Sequence, residues 1–218
     1  MATYTVNLRP PQQPRLPAAT NQYDFNYQNQ LNNVLRLYFN QLDNSFTALL
    51  NSNGGAYLRS PYGAFSDFTD QTTTANTATL VALATTDFSN QVTIATSKIT
   101  VQNAGIYNLQ FSVQLESSSN APQDVFIWLK QNGVDIVGST GKVGLPARKS
   151  PGDPFHDIKG WNYFLSMEAN DYVQIYWSTT SVDVSIQTYA ASGTPTKPST
   201  ASVVATMSFV SALPIAAV

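Results

Sequence analysis

The chain has no cysteine and a single histidine among its 218 residues. A disulfide framework and a thiolate metal site are both excluded. The lack of cysteine fits a protein made in a reducing cytoplasm that must persist outside it. Charge is also scarce. Asp, Glu, Lys and Arg make up 11% of the residues, against ~25% in an average soluble domain. The net charge is -2, with no basic stripe of the kind a phosphate backbone requires, so nucleic acid is not an expected partner. No apolar run approaches the ~20 residues of a membrane span, and a membrane is not expected either. Residues 1–20 lack the apolar core of a secretory signal.

What is there is a folding sequence. Hydrophobic residues make up 43%, and a chain of this size buries roughly 70% of its unfolded surface. Asn, Gln, Ser and Thr take the place of charge. Such a surface has little long-range repulsion and suits dense, permanent packing.

Three regions follow from the residue pattern: an arm over 1–20, a helix over 21–55 and a β-domain over 56–218. The arm holds four of the twelve prolines, Pro10, Pro11, Pro14 and Pro17, and its charges are Arg9 and Arg15. Proline fixes φ and removes a donor, so this stretch is expected to be extended. It reads either as a loose terminus or as a peg that orders on a partner, with proline lowering the entropy lost on docking. Residues 21–50 read as one helix, with Thr20 or Asn21 as cap, Asp24 at its positive end and Gly54-Gly55 beyond it. Tyr27, Leu31, Val34/Leu35, Tyr38, Leu42, Phe46 and Leu49 recur at spacings of three and four, giving one apolar stripe between faces of Asn and Gln. That stripe must bury against the chain's own β-domain, symmetry mates or a partner.

Residues 56–69 are aromatic and turn-rich and lead into strands. Strands are expected at Thr79–Ala84, Val92–Val101, Gly105–Glu116, Asp124–Gln131, Val134–Ser139, Gly160–Met167, Tyr172–Thr179, Val182–Tyr189 and Ser202–Ala212. Between Gly105 and Glu116 alternation is strict, and Tyr107, Leu109, Phe111, Val113 and Leu115 share a face. Asn132-Gly133 is a two-residue hairpin signal. Asn170-Asp171 makes another turn. Many short strands without helical period indicate a β-sandwich. Gly141–Lys159 and Ser192–Thr200 read as exposed loops.

No catalytic constellation is legible, and no enzyme is expected. His156 has no G-x-S-x-G serine to serve. Asp153, His156 and Asp157 offer too few ligands for an oxygen cage. Gly138–Gly144 fails the phosphate-loop spacing, with Val143 where the Mg²⁺-binding hydroxyl belongs. The scattered carboxylates suggest no glycosidase pair. Trp128, Trp161 and Trp177 would stack on sugars if exposed, but each lies in or beside a strand, where core or interface packing is the simpler reading. No cofactor and no metal is expected.

Four segments resemble the C1q/tumour-necrosis-factor jelly roll: VQNAGIYNLQFSVQL (Val101–Leu115), VFIWLKQNGVDI (Val125–Ile136), NYFLSMEANDYVQIYW (Asn162–Trp177, with Asn170 where that family has glycine) and ASVVATMSFVSAL (Ala201–Leu213). PYGAFSDFTDQT (Pro61–Thr72), SKITVQNAGIYNLQFSVQL (Ser97–Leu115), DVFIWLKQNG (Asp124–Gly133) and NDYVQIYWST (Asn170–Thr179) resemble phage-encoded virion and fibre proteins. The first resemblance implies a homotrimer, with Tyr107, Tyr172, Tyr176 and Phe209 as interface candidates. The second implies a virion component, made in the host cytoplasm and placed on the particle surface. Together they suggest a trimeric capsid decoration, or cement, protein. It would grip the major capsid protein or another virion protein through Arg9, Pro10, Pro11, Pro14, Arg15, Leu31, Leu35, Tyr38 and Leu42. The alternative is a short tail or head fibre whose loops recognise a host-surface glycan or protein.

Overall fold

A computed structural model of the protein describes residues 11–19, 21–50 and 60–213, with residues 48–50 described through their backbone alone. Arg9, Pro10, Thr20, the Leu49 side chain and Gly54-Gly55 lie outside what is described. The chain divides into two compact units, Met1–Arg59 and Ser60–Val218.

In the first unit, residues 11–19 carry neither helix nor strand, and α1 spans Phe25–Leu50. The helix starts at Phe25 and not at residue 21, because Asp24 is its cap. The Asp24 carboxylate accepts the backbone N–H of Asn26 at 2.8 Å and of Tyr27 at 3.4 Å. These are N–H groups of the first turn that have no partner inside the helix. The expected cap Asn21 sits in a bend before it. Tyr27, Leu31, Val34, Leu35, Tyr38 and Leu42 are half-buried, as one stripe would be. Phe46 is exposed, and so are Phe25, Leu37 and Phe39, which lie off the stripe. The polar faces are thus less purely Asn and Gln than the spacing suggests.

The second unit is mainly β, and its strands form two facing seven-stranded sheets and one separate two-stranded sheet. In chain order the strands are β1 (Tyr62–Asp67), β2 (Gln71–Thr72), β3 (Thr79–Leu80), β4 (Thr85–Asn90), β5 (Val92–Ala95), β6 (Lys98–Val101), β7 (Gly105–Ser117) and β8 (Gln123–Gln131). After them come β9 (Val134–Asp135), β10 (Gly141–Leu145), β11 (Phe155–Met167), β12 (Tyr172–Thr179), β13 (Val184–Ile186), β14 (Ser192–Gly193), β15 (Thr196–Lys197) and β16 (Val203–Ser211). The first sheet runs β2-β13-β7-β16-β1-β4, with β11 along the other edge of β7. The second runs β10-β8-β12-β6-β5, with β3 on β12 and β9 on β8. Every named strand pairing is antiparallel.

Strict alternation makes the core. On β7 the predicted face of Tyr107, Leu109, Phe111, Val113 and Leu115 is buried. It meets Val125, Ile127 and Leu129 of β8 and Val173, Ile175 and Trp177 of β12 in one cluster. Trp177 is fully buried, and burying an aromatic of this size contributes on the order of 2–3 kcal/mol. Between the edge strands β10 and β11 the sandwich is closed by Trp161 and Tyr163. The Tyr163 hydroxyl donates to the Ser139 carbonyl at 2.7 Å. Trp161 lies over Gly141 so closely that a Cβ there would stand 2.4 Å from its Nε1.

The expected loop Gly141–Lys159 is a correction. Gly141–Leu145 is β10, paired with β8, and Phe155–Lys159 is the first half of β11, paired with β7. Two glycines hid the first strand, although Val143 and Leu145 point inward. Asp157 and Lys159 hid the second, because these inward-side residues form an ion pair at 2.8 Å where an apolar alternation would be sought. Other departures are smaller. Val92–Val101 is two strands, since Thr96 and Ser97 turn the chain with φ of 49° and 57°. Thr79–Ala84, Val134–Ser139 and Val182–Tyr189 contain only the short strands β3, β9 and β13. The Ser192–Thr200 stretch contains the β14-β15 hairpin. β4 has no counterpart among the expected strands.

Thr96 is β-branched, and its positive φ strains the backbone. Replacing it by Asn, which tolerates that region, is expected to raise stability by about 0.5–1 kcal/mol. Thermal unfolding of Thr96→Asn should show a higher midpoint; an unchanged or lower one would contradict the strain.

Candidate functional site

The sandwich has two solvent-side faces, and their chemistry differs. On the first sheet, the register places Ile158, Gly160, Asn162 and Phe164 of β11 opposite Gln114, Ser112, Gln110 and Asn108 of β7. Val204, Thr206 and Ser208 of β16 continue those rows. None of these side chains is charged. Ile158 is 61% and Phe164 65% exposed, with Val204 also exposed. Between the two β11 protrusions, Gly160 leaves a groove of about 530 Å³ lined by Phe111, Trp161, Gln110, Asn162, Val204 and Thr206. Phe111 and Trp161 stack with ring centroids 5.3 Å apart and planes 8° from parallel. Asn108 donates to Asn162 across the strands at 2.6 Å.

His156 lies at one end of this face, where its Nδ1 is 2.8 Å from the Tyr189 hydroxyl and 3.5 Å from Glu116 Oε2. Tyr189 donates to that same carboxylate at 3.1 Å. Burial, then the charges of Glu116 and Asp70, push the Tyr189 phenol up, so it stays a neutral donor. His156 and Asp157 are neighbours on β11 and so point to opposite faces. Asp153 belongs to a separate turn closed on Ser150, beside Lys149. The structure therefore does not bring Asp153, His156 and Asp157 together. Among the described residues no group of three or more His, Asp and Glu side chains could hold a metal.

The second sheet's outer face is aromatic and charged. Trp128 of β8 is directly paired with Tyr176 of β12, and Lys130 with Gln174. The Trp128 and Tyr176 rings lie 5.9 Å apart at 32°. Lys130 stands 4.7 Å over the Tyr176 ring and Lys98 4.3 Å over that of Tyr172. Lys142 is 2.8 Å from Asp124 and Lys130 3.3 Å from Asp135. The Trp128 indole N–H donates to Asp135 at 2.8 Å, which fixes the ring's orientation. A groove of about 390 Å³ runs beside it, lined by Phe126, Trp128, Asp135, Val137 and Thr140.

The four interface candidates do not share a surface. Tyr107 is fully buried, and its hydroxyl donates to the Asn103 carbonyl. Phe209 packs edge-on against it at 5.6 Å. Both serve the first sheet's inner side, whereas Tyr172 and Tyr176 lie outside the second sheet. Regular alternation assigns a strand's faces but does not say which face a partner covers. Ile158 and Phe164 are not singled out by the sequence: Ile158 falls in the presumed loop, and Phe164 in the expected strand Gly160–Met167, on the side away from the core. Of the three tryptophans, Trp177 is core, Trp161 is packed on the core, and Trp128 is on the solvent side. Pro11, Pro14 and Arg15 fall in residues 11–19, and Leu31, Leu35, Tyr38 and Leu42 on α1. No described helix is long and apolar enough to cross a membrane.

No protein-family model and no curated protein matches this sequence.

Asp171 ties the two turns at the end of the aromatic face. Its carboxylate accepts Asn132 at 2.7 Å, the Glu168 backbone N–H at 2.9 Å and Gln131 at 3.0 Å. Burial pushes its pKa up, but these hydrogen bonds outweigh it and hold the carboxyl below the usual carboxylate range. With the folded-state pKa depressed, the stabilisation is present above the unfolded value of ~3.9 and is lost as pH falls through the folded value. Asp171→Asn is expected to cost at most about 1 kcal/mol at neutral pH, given solvent screening. Denaturant unfolding from pH 7 to 2 should show that difference closing in acid. A constant difference would mean the charge is not what matters.

Proposed function

We propose that this chain is a non-enzymatic structural protein of a bacteriophage particle. In this reading it is a homotrimer with a C1q/tumour-necrosis-factor-like jelly roll that decorates the capsid surface and is anchored by its N-terminal arm and helix. The phage assignment rests on the resemblance of Pro61–Thr72, Ser97–Leu115, Asp124–Gly133 and Asn170–Thr179 to virion and fibre proteins. The jelly-roll reading is supported by a two-sheet antiparallel sandwich whose first and last long strands, β1 and β16, are neighbours.

The single observation that carries the trimer is the set of uncharged central rows on the first sheet, with Ile158 and Phe164 beside the Gly160 groove. Covering that face desolvates amides, hydroxyls and aliphatic groups but no charge in those rows. The ionic penalty that opposes burying most protein surfaces is therefore absent. A three-fold axis gathers three arms, so three weak arm contacts act together and the avidity exceeds that of one arm by orders of magnitude. Decoration then favours the assembled shell by mass action, because the protein binds the shell and not its dissociated parts. The second reading, a short fibre or receptor-binding module, is favoured by one observation: the aromatic outer face of the second sheet.

Sedimentation should give about three times the 23.7 kDa chain mass. Phe164→Lys and Ile158→Lys should give monomers that keep their β circular dichroism. A monomeric wild type at micromolar concentration would end the trimer reading. Purified protein added to undecorated heads should bind and raise their disruption temperature, and deleting residues 1–20 should abolish binding while leaving the trimer folded. Full-length protein that ignores heads but labels host cells would favour the fibre reading.

A further inference from the structure

We propose that the outer face of β8 and β12 is a binding site for an uncharged saccharide chain, with Trp128 as the stacking ring and Tyr176, which carries Lys130 at 4.7 Å over its own ring, fixed beside it. Aromatic side chains normally contribute to folding by burial, yet these two belong neither to the core cluster nor to the side chains packed against it. A cross-strand aromatic pair stabilises a sheet by only about 0.2–1 kcal/mol, which accounts for the pairing but not for what surrounds it. Asp135 holds the indole N–H, so the ring is already oriented and little rotamer entropy is lost when a ligand lies on it. The face of an aromatic ring carries the negative part of its quadrupole. The C–H-rich face of a pyranose is its natural complement.

The groove beside Trp128 supplies the rest. Its volume of about 390 Å³ lies in the ~300–1,000 Å³ range of small-ligand pockets. Its wall combines the apolar Phe126 and Val137 with the acceptor Asp135 and the hydroxyl of Thr140. Apolar faces next to fixed donors and acceptors match a polyol. Charge selects among saccharides. Lys142 is matched by Asp124 and Lys130 by Asp135, and Lys98 is engaged with the Tyr172 ring, so the charges beside Trp128 are matched and favour a neutral ligand there.

This inference goes beyond particle location and trimer formation, and it fails separately from them, because the substitutions below leave the first sheet's outer face untouched. The probes are cellohexaose, maltohexaose and chitohexaose, with colominic acid as the anionic comparison. The three tryptophans give three indole N–H resonances, of which the buried Trp177 is an internal control. Titrating full-length protein to about 10 mM probe saturates a site with a Kd near 1 mM. The Trp128 resonance should shift saturably with at least one neutral probe while that of Trp177 stays fixed. Trp128→Ala should weaken calorimetric binding at least about tenfold. Trp128→Phe, which keeps a stacking face, should retain most of the affinity. Absence of a saturable Trp128 shift with all three neutral probes overturns the proposal. So does tighter binding of colominic acid, or undiminished affinity in a folded Trp128→Ala protein.

Discussion

Strand β7 is hydrogen-bonded along both edges, to β11 over all thirteen of its residues and to β16 and β13 on the other side. A strand in that position has no freedom of register. A slip of one residue would send Tyr107, Leu109, Phe111, Val113 and Leu115 into water and draw the intervening Asn, Gln and Ser side chains into the core. The same constraint fixes the outside of the sheet. Once the inward residues are apolar, the outward ones inherit positions directly opposite those of β11 and β16. In this chain those positions are amides, hydroxyls and a few aliphatic or aromatic groups. The register therefore decides which residues stand in the uncharged central rows of the first sheet, and any partner that covers them meets a pattern the core has already set.

Scarcity of charge then acquires a direction. The few ionic groups are not spread evenly over the sandwich: Asp124, Lys130, Asp135 and Lys142 are paired on the second sheet's outer face, while the central rows of the first sheet have none. Removing paired ions from water costs several kcal/mol unless every lone pair finds a partner, whereas amide and hydroxyl rows can be covered by groups like themselves. The physical asymmetry suits the first face to permanent contact and the second to solvent, which is how the proposed trimer and the proposed saccharide site coexist on one small domain.

How much of this was legible depended on alternation. β7 and β12 were read at their observed positions because apolar and polar residues alternate without interruption, and the Asn132-Gly133 hairpin because its turn chemistry is specific. Asn132 and Gly133 do turn with φ of 51° and 83°. β10 and the start of β11 are not legible as strands, because glycine, proline and charge are the usual marks of a loop. Here Gly141 instead makes room for Trp161, and the Asp157–Lys159 pair substitutes for apolar contacts. β4, Thr85–Asn90, is nearly all exposed and so has no burial pattern to read. The stripe predicts the helix, but its start lies four residues beyond residue 21, since three capping-type side chains lie close together and only hydrogen-bond geometry selects Asp24. The interface candidates come from the jelly-roll resemblance, which points to aromatic residues of one sheet without fixing which face they take. Aromaticity does not distinguish Tyr107, inside the sandwich, from Tyr176, outside it.

The rigidity of the aromatic face follows from the turn that ends it. Asp171 draws the Asn132-Gly133 turn and the Asn170-Asp171 turn together, and Tyr172 adds a backbone exchange with Asn132: its N–H donates to the Asn132 side chain and its carbonyl accepts the Asn132 N–H. β8 and β12 are thus joined by a ladder along their length and by a polar knot at one end. Trp128 and Tyr176 sit on that doubly fixed pair, four residues from the knot along each strand. A platform on free loops would have to be ordered by its ligand, at a cost to affinity. A platform on the two best-anchored strands of the sheet is ordered before any ligand arrives. The folding constraint that placed these rings in register is therefore also what would let weak stacking contacts amount to recognition.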